Sequence, residues 1–103
     1  IKRARSKAPH TVKIEVEVET IEAAVVAANV GADIVMLDNM SPEDMATAVD
    51  KIATNCVVEA SGGITLENVA SVAQSGVDII SIGALTHSAR AMDISLDYEP
   101  NVN

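Results

Sequence analysis

The sequence contains no tryptophan or phenylalanine and a single tyrosine, Tyr98. Its 103 residues are enough for one modest domain, whose core would have to consist of aliphatic side chains. No apolar run approaches the ~18 residues of a membrane-spanning helix, and no charged-then-apolar secretion signal opens the chain. These absences predict a soluble protein of the cytoplasm.

The only cysteine, Cys56, cannot form a disulfide within the chain, which is typical of proteins in a reducing compartment. It stands beside the apolar pair Val57 and Val58 and has no cationic neighbour in sequence. We therefore interpret it as a buried structural thiol and not as a nucleophile.

Basic residues are scarce, and the formal net charge is −8. Four of the seven bases open the chain: Lys2, Arg3, Arg5 and Lys7. All fifteen acids lie from Glu15 onward, which argues against duplex nucleic acid or an anionic membrane as the main partner. The basic start is interpreted as the solvated end of a helix, with a substrate-facing patch as the alternative. Because the chain begins with Ile1 in what looks like a helix, we expect it to be a fragment of a longer protein.

Four segments that recur about every 22 residues predict strands. They cover residues 13–18, 34–37, 57–60 and 79–82, and their starts are 21, 23 and 22 residues apart. The last three are continuous apolar runs, "IVML", "VVEA" and "IISI", as in parallel strands buried on both faces. The first, "KIEVEVE", alternates with period two. Its glutamates, Glu15, Glu17 and Glu19, would share one face, which predicts that this face meets a polar cavity.

Helix signals fill the gaps between these strands. Thr20 is a typical N-cap for a helix that ends at Gly31. The run Ser41-Pro42-Glu43-Asp44 begins a second helix, with proline at the first helical position. Thr65 opens a third, which closes near Gly76, and "ALTHSARAM" predicts a short last helix.

This repetition predicts an α/β fold built from repeated βα units with parallel strands. A doubly wound sheet and an incomplete TIM-like α/β barrel both fit the pattern. A full barrel takes ~250 residues, so residues 1–103 would form about half of one, the C-terminal portion of a barrel domain. The remaining strands would come from elsewhere in the parent chain.

Acidic residues end the first two predicted strands. In both architectures chemistry gathers at the carboxyl ends of the strands, and Glu17 and Asp38 stand at these ends on neighbouring strands. Two such carboxylates suit Mg²⁺, which often binds one or two carboxylates and substrate phosphates. They could instead stabilise positive charge on a sugar, or merely cap the helices that follow.

Glycine turns end the last two predicted strands. Ser61, Gly62 and Gly63 precede the helix opened by Thr65, and Gly83 stands at the same place one repeat later. Their amides could face an anion at a helix N-terminus, which predicts a phosphate site, although a glycine pair by itself more often marks a tight turn. His87 follows Gly83 by four residues, either as a donor to that phosphate or as a structural histidine.

Four motifs taken together give the chain a family resemblance. "KIEVEVE", "GADIVMLDNMSPE", "EASGGITLENV" and "VDIISIGALTHSARAMDISLDY", in this order, resemble the C-terminal part of the quinolinate phosphoribosyltransferases. The resemblance implies an incomplete α/β barrel preceded by an open α/β sandwich domain. It also implies a reaction of NAD synthesis: quinolinate and 5-phosphoribosyl 1-pyrophosphate react with Mg²⁺ to give nicotinate mononucleotide, pyrophosphate and carbon dioxide.

The resemblance also implies roles for single residues. The family's acidic pair, which engages the ribose hydroxyls and the metal, matches Glu17 and Asp38. Its phosphate-binding residues match the following positions: Ser61, Gly62, Gly63, Gly83 and His87. Glu59 matches without an assigned role. The basic residues that hold quinolinate lie upstream in the family, some on the neighbouring subunit of a homodimer or higher oligomer, so we expect residues 1–103 alone to be inactive.

Three other interpretations remain open at this point. A phosphate-binding barrel isomerase or lyase could use Glu17 or Asp38 as a general base. A molybdenum-transport-associated homologue would share the fold, but the intact "LDNMSPE" and "GALTHS" disfavour it. A response-regulator receiver would also place an aspartate such as Asp38 at a strand end. A receiver needs a lysine at the end of a later strand, however, and no lysine follows Lys51.

Overall fold

Four parallel strands form one sheet in the computed structural model, which describes residues 1–52, 55–86 and 94. The strands are β1 (Glu15–Val18), β2 (Ile34–Asp38), β3 (Val57–Ser61) and β4 (Ile79–Ile80). The helices are α1 (Lys2–Arg5), α2 (Ile21–Val30), α3 (Pro42–Ile52) and α4 (Val69–Gln74), and a 3-10 turn covers Gly83–Leu85. The α/β class with parallel strands is confirmed.

The order of the strands decides between the two architectures that the sequence left open. Each strand pairs in parallel with the next one along the chain, so the order is β1-β2-β3-β4. A doubly wound sheet, including that of a receiver, reverses its strand order at a switch point. No reversal occurs among the described strands, and the sheet is that of consecutive units of a TIM-like barrel.

The core lies between one face of this sheet and the helices. Successive strand residues point to opposite faces, and the buried strand residues Val35, Leu37, Val58 and Ala60 all share the helix side. The helices contribute small or aliphatic residues at helical spacing: Ala24, Ala27, Ala28, Met45, Ala48, Ile52 and Val72. The core is thus aliphatic, as the shortage of aromatic residues requires.

The helix ends carry the signals that the sequence showed. The Thr20 hydroxyl accepts a hydrogen bond from the amide of Ala23 at 3.2 Å. Gly31 ends α2 with φ of 97°, a left-handed conformation that favours glycine. At the start of α3 the Ser41 hydroxyl accepts from the Asp44 amide at 3.1 Å. These caps confirm the predicted boundaries of α2 and the predicted start of α3.

Two aspartates at matching places in the repeat join neighbouring strands at their amino ends. Asp33 accepts the amide hydrogen of Ile14 at 2.7 Å, and Asp78 accepts that of Val58 at 2.8 Å. Asp33 also accepts from Arg5 Nη2 at 2.6 Å. The hydrogen bonds from Ile14 and Arg5 lower the pKa of Asp33 below its usual value. The basic start is thus an exposed helix, as predicted. Its Arg5 side chain is bonded to Asp33, which belongs to the strand–helix repeat.

Some boundaries differ from the prediction for reasons visible in side chains. β1 begins at Glu15 instead of Lys13, since the Asp33 carboxylate takes the Ile14 amide. α4 begins at Val69 instead of near Thr65. The Asn68 side chain accepts from the Thr65 amide at 2.8 Å and donates to the Gly63 carbonyl at 2.9 Å, which folds 63–68 into a turn.

The end of the repeat also differs. β4 covers Ile79–Ile80 and not 79–82, although the Ser81 amide still donates to the Ala60 carbonyl at 2.9 Å. Where a last helix was predicted, the structure has the 3-10 turn at Gly83–Leu85, and the rest of that segment lies outside the described residues. None of the helices in the described ranges is long and apolar enough to cross a bilayer.

Cys56 is half-buried and packs against the hydrophobic core. Burial raises the pKa of its thiol, and the charge of Asp78 raises it further. A thiol held in its protonated form is a poor nucleophile, which fits the interpretation of Cys56 as a structural residue. The side chain is partly buried, however, and not fully buried as predicted.

Candidate active site

The predicted carboxylates lie on the sheet face that points away from the helices, here called the acidic face. Glu17 pairs in register with Met36, which pairs with Glu59, and Asp38 pairs with Ser61. Residues two apart on a strand share a face, so all of these residues lie on one side of the sheet. The glutamates of β1 are exposed there. Their alternation therefore marks the side of the sheet opposite the core.

Aliphatic residues of the same face are also partly open to solvent. Val57 is 38% exposed and Ile79 is 42% exposed. The candidate site is consequently an open surface in the described chain and not a closed cavity. A nearby pocket of ≈ 210 Å³ lies at the starts of α2 and α3 and is lined by Glu19, Thr20, Ile21, Glu22, Met40 and Asp44. None of the predicted site residues lines it.

Glu17 and Asp38 stand on adjacent strands, offset by two residues. With the usual strand spacing and rise, their Cα atoms are roughly 8 Å apart. Glu17 is exposed and Asp38 is half-buried. Within the described ranges no three histidine, cysteine, aspartate or glutamate side chains form a group that could hold a metal ion. A pair of carboxylates with open space beside it suits Mg²⁺, which usually keeps several waters and binds substrate phosphates.

Asp38 is oriented by the residue that follows it. Asn39 Nδ2 donates to Asp38 Oδ2 at 2.9 Å, and the Asn39 amide donates to the Ser61 carbonyl at 3.0 Å. Asn39 has φ of 52° and is the one non-glycine residue with positive φ among the described residues. Asparagine is among the few side chains that tolerate this conformation. The sequence analysis missed Asn39, although an asparagine directly after an acidic strand end is a signal of such a turn.

Gly62 faces the Asp38–Asn39 pair across the strand ends. A Cβ atom on Gly62 would lie 2.5 Å from Asn39 Oδ1 and 2.6 Å from Asp38 Oδ1. Gly62 also has φ of 77° and Gly63 has φ of 58°. Gly62 is therefore glycine for two reasons within the chain itself, a left-handed turn and the close approach of two side chains. Its role in binding a phosphate stays a prediction.

The predicted phosphate residues occupy the ends of two adjacent strands. Ser61 ends β3 and is followed by the Gly62–Gly63 turn, and Gly83 begins the 3-10 turn after β4. The Gly83 carbonyl accepts from the Thr86 amide and hydroxyl, both at 3.0 Å. Because α4 starts at Val69, the Gly62–Gly63 turn does not lead directly into a helix N-terminus as expected. His87 lies outside the described residues.

Glu59 is the buried carboxylate of the acidic face, with 8% of its surface exposed. The Ser81 hydroxyl, at the end of β4, donates to Glu59 Oε1 across the two strands. Sequence reasoning gave Glu59 no role and did not single out the Ser81 side chain. Their contact joins residues 22 positions apart, and only the pairing of β3 with β4 reveals it.

Comparison with known proteins gives a consistent result. The family model for the quinolinate phosphoribosyl transferase C-terminal domain matches residues 1–97. The "Probable nicotinate-nucleotide pyrophosphorylase (carboxylating)" of Methanothermobacter thermautotrophicus is 45% identical over 102 residues, covering 94% of this chain and 37% of that protein. The human nicotinate-nucleotide pyrophosphorylase (carboxylating) is 44% identical over 99 residues, covering 93% and 33%.

A solved structure, that of NadC from Streptococcus pyogenes, is 41% identical and superimposes with a TM-score of 0.78. The match covers 94% of this chain and 34% of the NadC chain. The chain thus spans about a third of the length of the relatives it matches.

Proposed function

Because this chain belongs to the quinolinate phosphoribosyltransferase family, we propose that the whole protein transfers the phosphoribosyl group of 5-phosphoribosyl 1-pyrophosphate to quinolinate. The family match over residues 1–97 is the observation that carries the proposal. The products are nicotinate mononucleotide, pyrophosphate and carbon dioxide, and the reaction is a step of NAD biosynthesis.

The proposed reaction defines what the site has to stabilise. The pyridine nitrogen forms a bond to ribose C1 as the bond from C1 to the pyrophosphate oxygen breaks. Carbon dioxide then leaves, and a proton takes its place on the ring. Positive charge develops on the ribose while negative charge develops on the leaving pyrophosphate. Carboxylates beside the ribose lower the barrier because they are already oriented when this charge appears.

Glu17 and Asp38 are the proposed catalytic carboxylates. Both lie on the open acidic face, on neighbouring strands at the carboxyl edge where barrel enzymes carry out their chemistry. Asp38 is held by Asn39 at 2.9 Å, so its orientation does not depend on substrate. The same two carboxylates would hold Mg²⁺, which supplies positive charge to the pyrophosphate when it is bound.

The two glycine turns are the proposed site for the ribose phosphate. Ser61 ends β3 and is followed by Gly62 and Gly63, and Gly83 lies beyond the adjacent β4, so their amides lie at neighbouring strand ends. Backbone amides without side chains in front of them allow an anion to approach closely. His87, four residues after Gly83, is proposed as a further donor.

The rest of the proposed active site lies outside residues 1–103. The acidic face is open here, and we propose that other parts of the whole protein cover it and supply the basic residues for the carboxylates of quinolinate. Part of that site would come from a second subunit of a homodimer or higher oligomer. Residues 1–103 alone are then expected to give no product. A cytoplasmic location fits this metabolic role and the unpaired thiol of Cys56.

The test uses the whole protein. Purified enzyme is incubated with quinolinate, 5-phosphoribosyl 1-pyrophosphate and Mg²⁺, and nicotinate mononucleotide is followed by chromatography. Product is expected with all three present and is expected to fall to background when Mg²⁺ is removed with a chelator. Failure of a well-folded whole protein to form product would reject the proposed reaction. An amount of product that the chelator does not change would reject the proposed role of Mg²⁺ but not the proposed reaction.

A further inference from the structure

We propose that Glu59 and Ser81 are positioning residues that set the Gly83 turn beside the Ser61–Gly63 turn. This inference rests on the proposed function, because it treats these two turns as the two sides of one phosphate site. It adds a role for Glu59 that neither the family resemblance nor the comparisons assign.

The first observation is the burial of a carboxylate at a place where its neighbours are open. Glu59 is 8% exposed, whereas Val57, two residues earlier on the same face, is 38% exposed. A buried carboxylate is costly unless it is hydrogen-bonded. Within the described part of the chain its hydrogen-bond partner is the Ser81 hydroxyl. A buried carboxyl group bonded to a hydroxyl needs a reason beyond stability, since an apolar pair would fill the same space without the cost of burying polar groups.

The second observation is how short β4 is and how its two ends are joined to β3. The strand has two residues, Ile79 and Ile80, and they pair with Glu59 and Ala60. Backbone and side-chain hydrogen bonds together hold both of its ends, and at the start the Asp78 amide donates to the Val58 carbonyl at 2.9 Å. At the start, Asp78 accepts the Val58 amide at 2.8 Å. At the end, the Glu59–Ser81 bond acts together with the Ser81 amide, which donates to the Ala60 carbonyl at 2.9 Å.

The third observation is what lies directly beyond this tie. Ser81 is two residues before Gly83, and Glu59 is two residues before Ser61. In the β3–β4 register Glu59 is level with Ile79, so the Glu59–Ser81 bond runs diagonally between the strands directly beneath the two turns and fixes the spacing between them. A phosphate that contacts both turns binds strongly only when they are already at the right separation, because the ordering cost is then met in folding and not in binding.

The phosphate-binding step, and not the chemical step, should therefore respond to this pair. Loss of one hydrogen bond to a charged group commonly changes an equilibrium by about tenfold or more. In the whole enzyme, Ser81→Ala is expected to raise the KM for 5-phosphoribosyl 1-pyrophosphate by roughly tenfold. The kcat and the KM for quinolinate should stay within about twofold, because neither involves the separation of the two turns.

Three further variants make the test specific. Ser81→Thr keeps the hydroxyl and should restore the KM, whereas a change caused only by lost packing would not be rescued. Glu59→Gln keeps an oxygen that can accept from Ser81, so a smaller effect than that of Ser81→Ala is expected. Ser75→Ala is the matched control, since Ser75 is also buried but its hydroxyl donates to the Val72 carbonyl at 2.6 Å, away from the site. Ser75→Ala should leave both KM values unchanged.

A binding measurement separates failure of this inference from failure of the proposed function. Ribose 5-phosphate is titrated into the whole wild-type protein and into folded Ser81→Ala and Ser81→Thr by calorimetry. Weakening of about tenfold in Ser81→Ala with recovery in Ser81→Thr supports the positioning role even if no nicotinate mononucleotide is made. Equal affinity in all three proteins overturns it, as does an absence of ribose 5-phosphate binding to wild type. An active enzyme in which Ser81→Ala lowers kcat alone also overturns it.

Discussion

Replacing Gly62 with alanine should damage the site far more than the same change at its neighbour Gly63. Both residues have positive φ, 77° and 58°, so both variants bear the conformational cost of a side chain in the left-handed region, about 1–2 kcal/mol. Only at Gly62 does the new Cβ collide with other atoms. It would lie 2.5 Å from Asn39 Oδ1 and 2.6 Å from Asp38 Oδ1, against 3.6 Å from Asn39 Oδ1 at Gly63.

The collision adds a further cost and moves a proposed catalytic group. Forcing extra volume into a packed place typically costs about 1–3 kcal/mol, so Gly62→Ala should lose roughly 2–5 kcal/mol in total. A loss of one kcal/mol in the free energy of unfolding lowers the melting temperature of a domain of roughly 150–250 residues by about 2–4 °C. Displacement of the Asp38 carboxylate by about 1 Å is expected to reduce kcat/KM by roughly 10²-fold, a usual penalty for such a shift.

The assay compares three alanine variants of the whole protein by thermal unfolding and by steady-state kinetics. Gly31→Ala is the control away from the site, since Gly31 has φ of 97° and nothing within 4 Å of a Cβ. Gly31→Ala and Gly63→Ala should show the smaller stability loss and Gly62→Ala the larger one. For kcat/KM the control is Gly31→Ala, which should match wild type while Gly62→Ala falls, since Gly63 itself belongs to the proposed phosphate site. Equal melting temperatures for Gly62→Ala and Gly63→Ala, or equal kcat/KM for Gly62→Ala and Gly31→Ala, would contradict this prediction.

Three other predictions concern the repeat outside the site. Because the amide of Ile14 and the guanidinium of Arg5 lower the pKa of Asp33, its contribution to stability is present above the unfolded-state pKa and is lost as pH falls through the folded-state pKa. The melting temperature of wild type should therefore exceed that of Asp33→Asn near neutral pH, with the gap closing below about pH 4, and a gap independent of pH would contradict this. Thr20→Ala removes the cap of α2 and should cost ~1 kcal/mol in unfolding by denaturant, whereas Thr20→Ser should cost little. Cys56 should react with a thiol reagent more slowly than a free cysteine at neutral pH in the folded protein, because its pKa is raised, and an equal rate would show that it is not protected.

Local signals made the repeat predictable from sequence. The Thr20 cap, the Gly31 end and the Ser41-Pro42 start each act within a few residues, and all three were confirmed. The apolar runs located β2 and β3 correctly, because strands of a parallel sheet have few polar residues. They overstated the length of β4 and the burial of the second face, where Val57 and Ile79 are partly exposed. The choice between barrel and doubly wound sheet needed the strand order, which depends on pairing between residues 19 to 23 positions apart.

The features that the sequence did not reveal are those made by side chains meeting across strands. Asn39 orients Asp38 and crowds Gly62, and Ser81 reaches Glu59. The contacts with Gly62 and Ser81 depend on the register of neighbouring strands, which no local sequence pattern specifies. The Asn39–Asp38 bond is local, and its sequence signal was overlooked. The late start of α4 has the same origin, because the Asn68 side chain competes with the helix for the backbone of residues 63–65.

The central claim is that two carboxylates of the acidic face, Glu17 and Asp38, stabilise the transfer of the phosphoribosyl group. The most direct measurement is kcat/KM for nicotinate mononucleotide formation by the whole protein with Glu17→Gln, Asp38→Asn and Glu15→Gln. Glu15 is the matched control, since it is an exposed glutamate of the same strand and face, two residues further from the carboxyl edge. If Glu17 and Asp38 have this role, kcat/KM falls by at least ~10²-fold in Glu17→Gln and in Asp38→Asn, while Glu15→Gln stays near wild type. Equal activity in all three variants would contradict it.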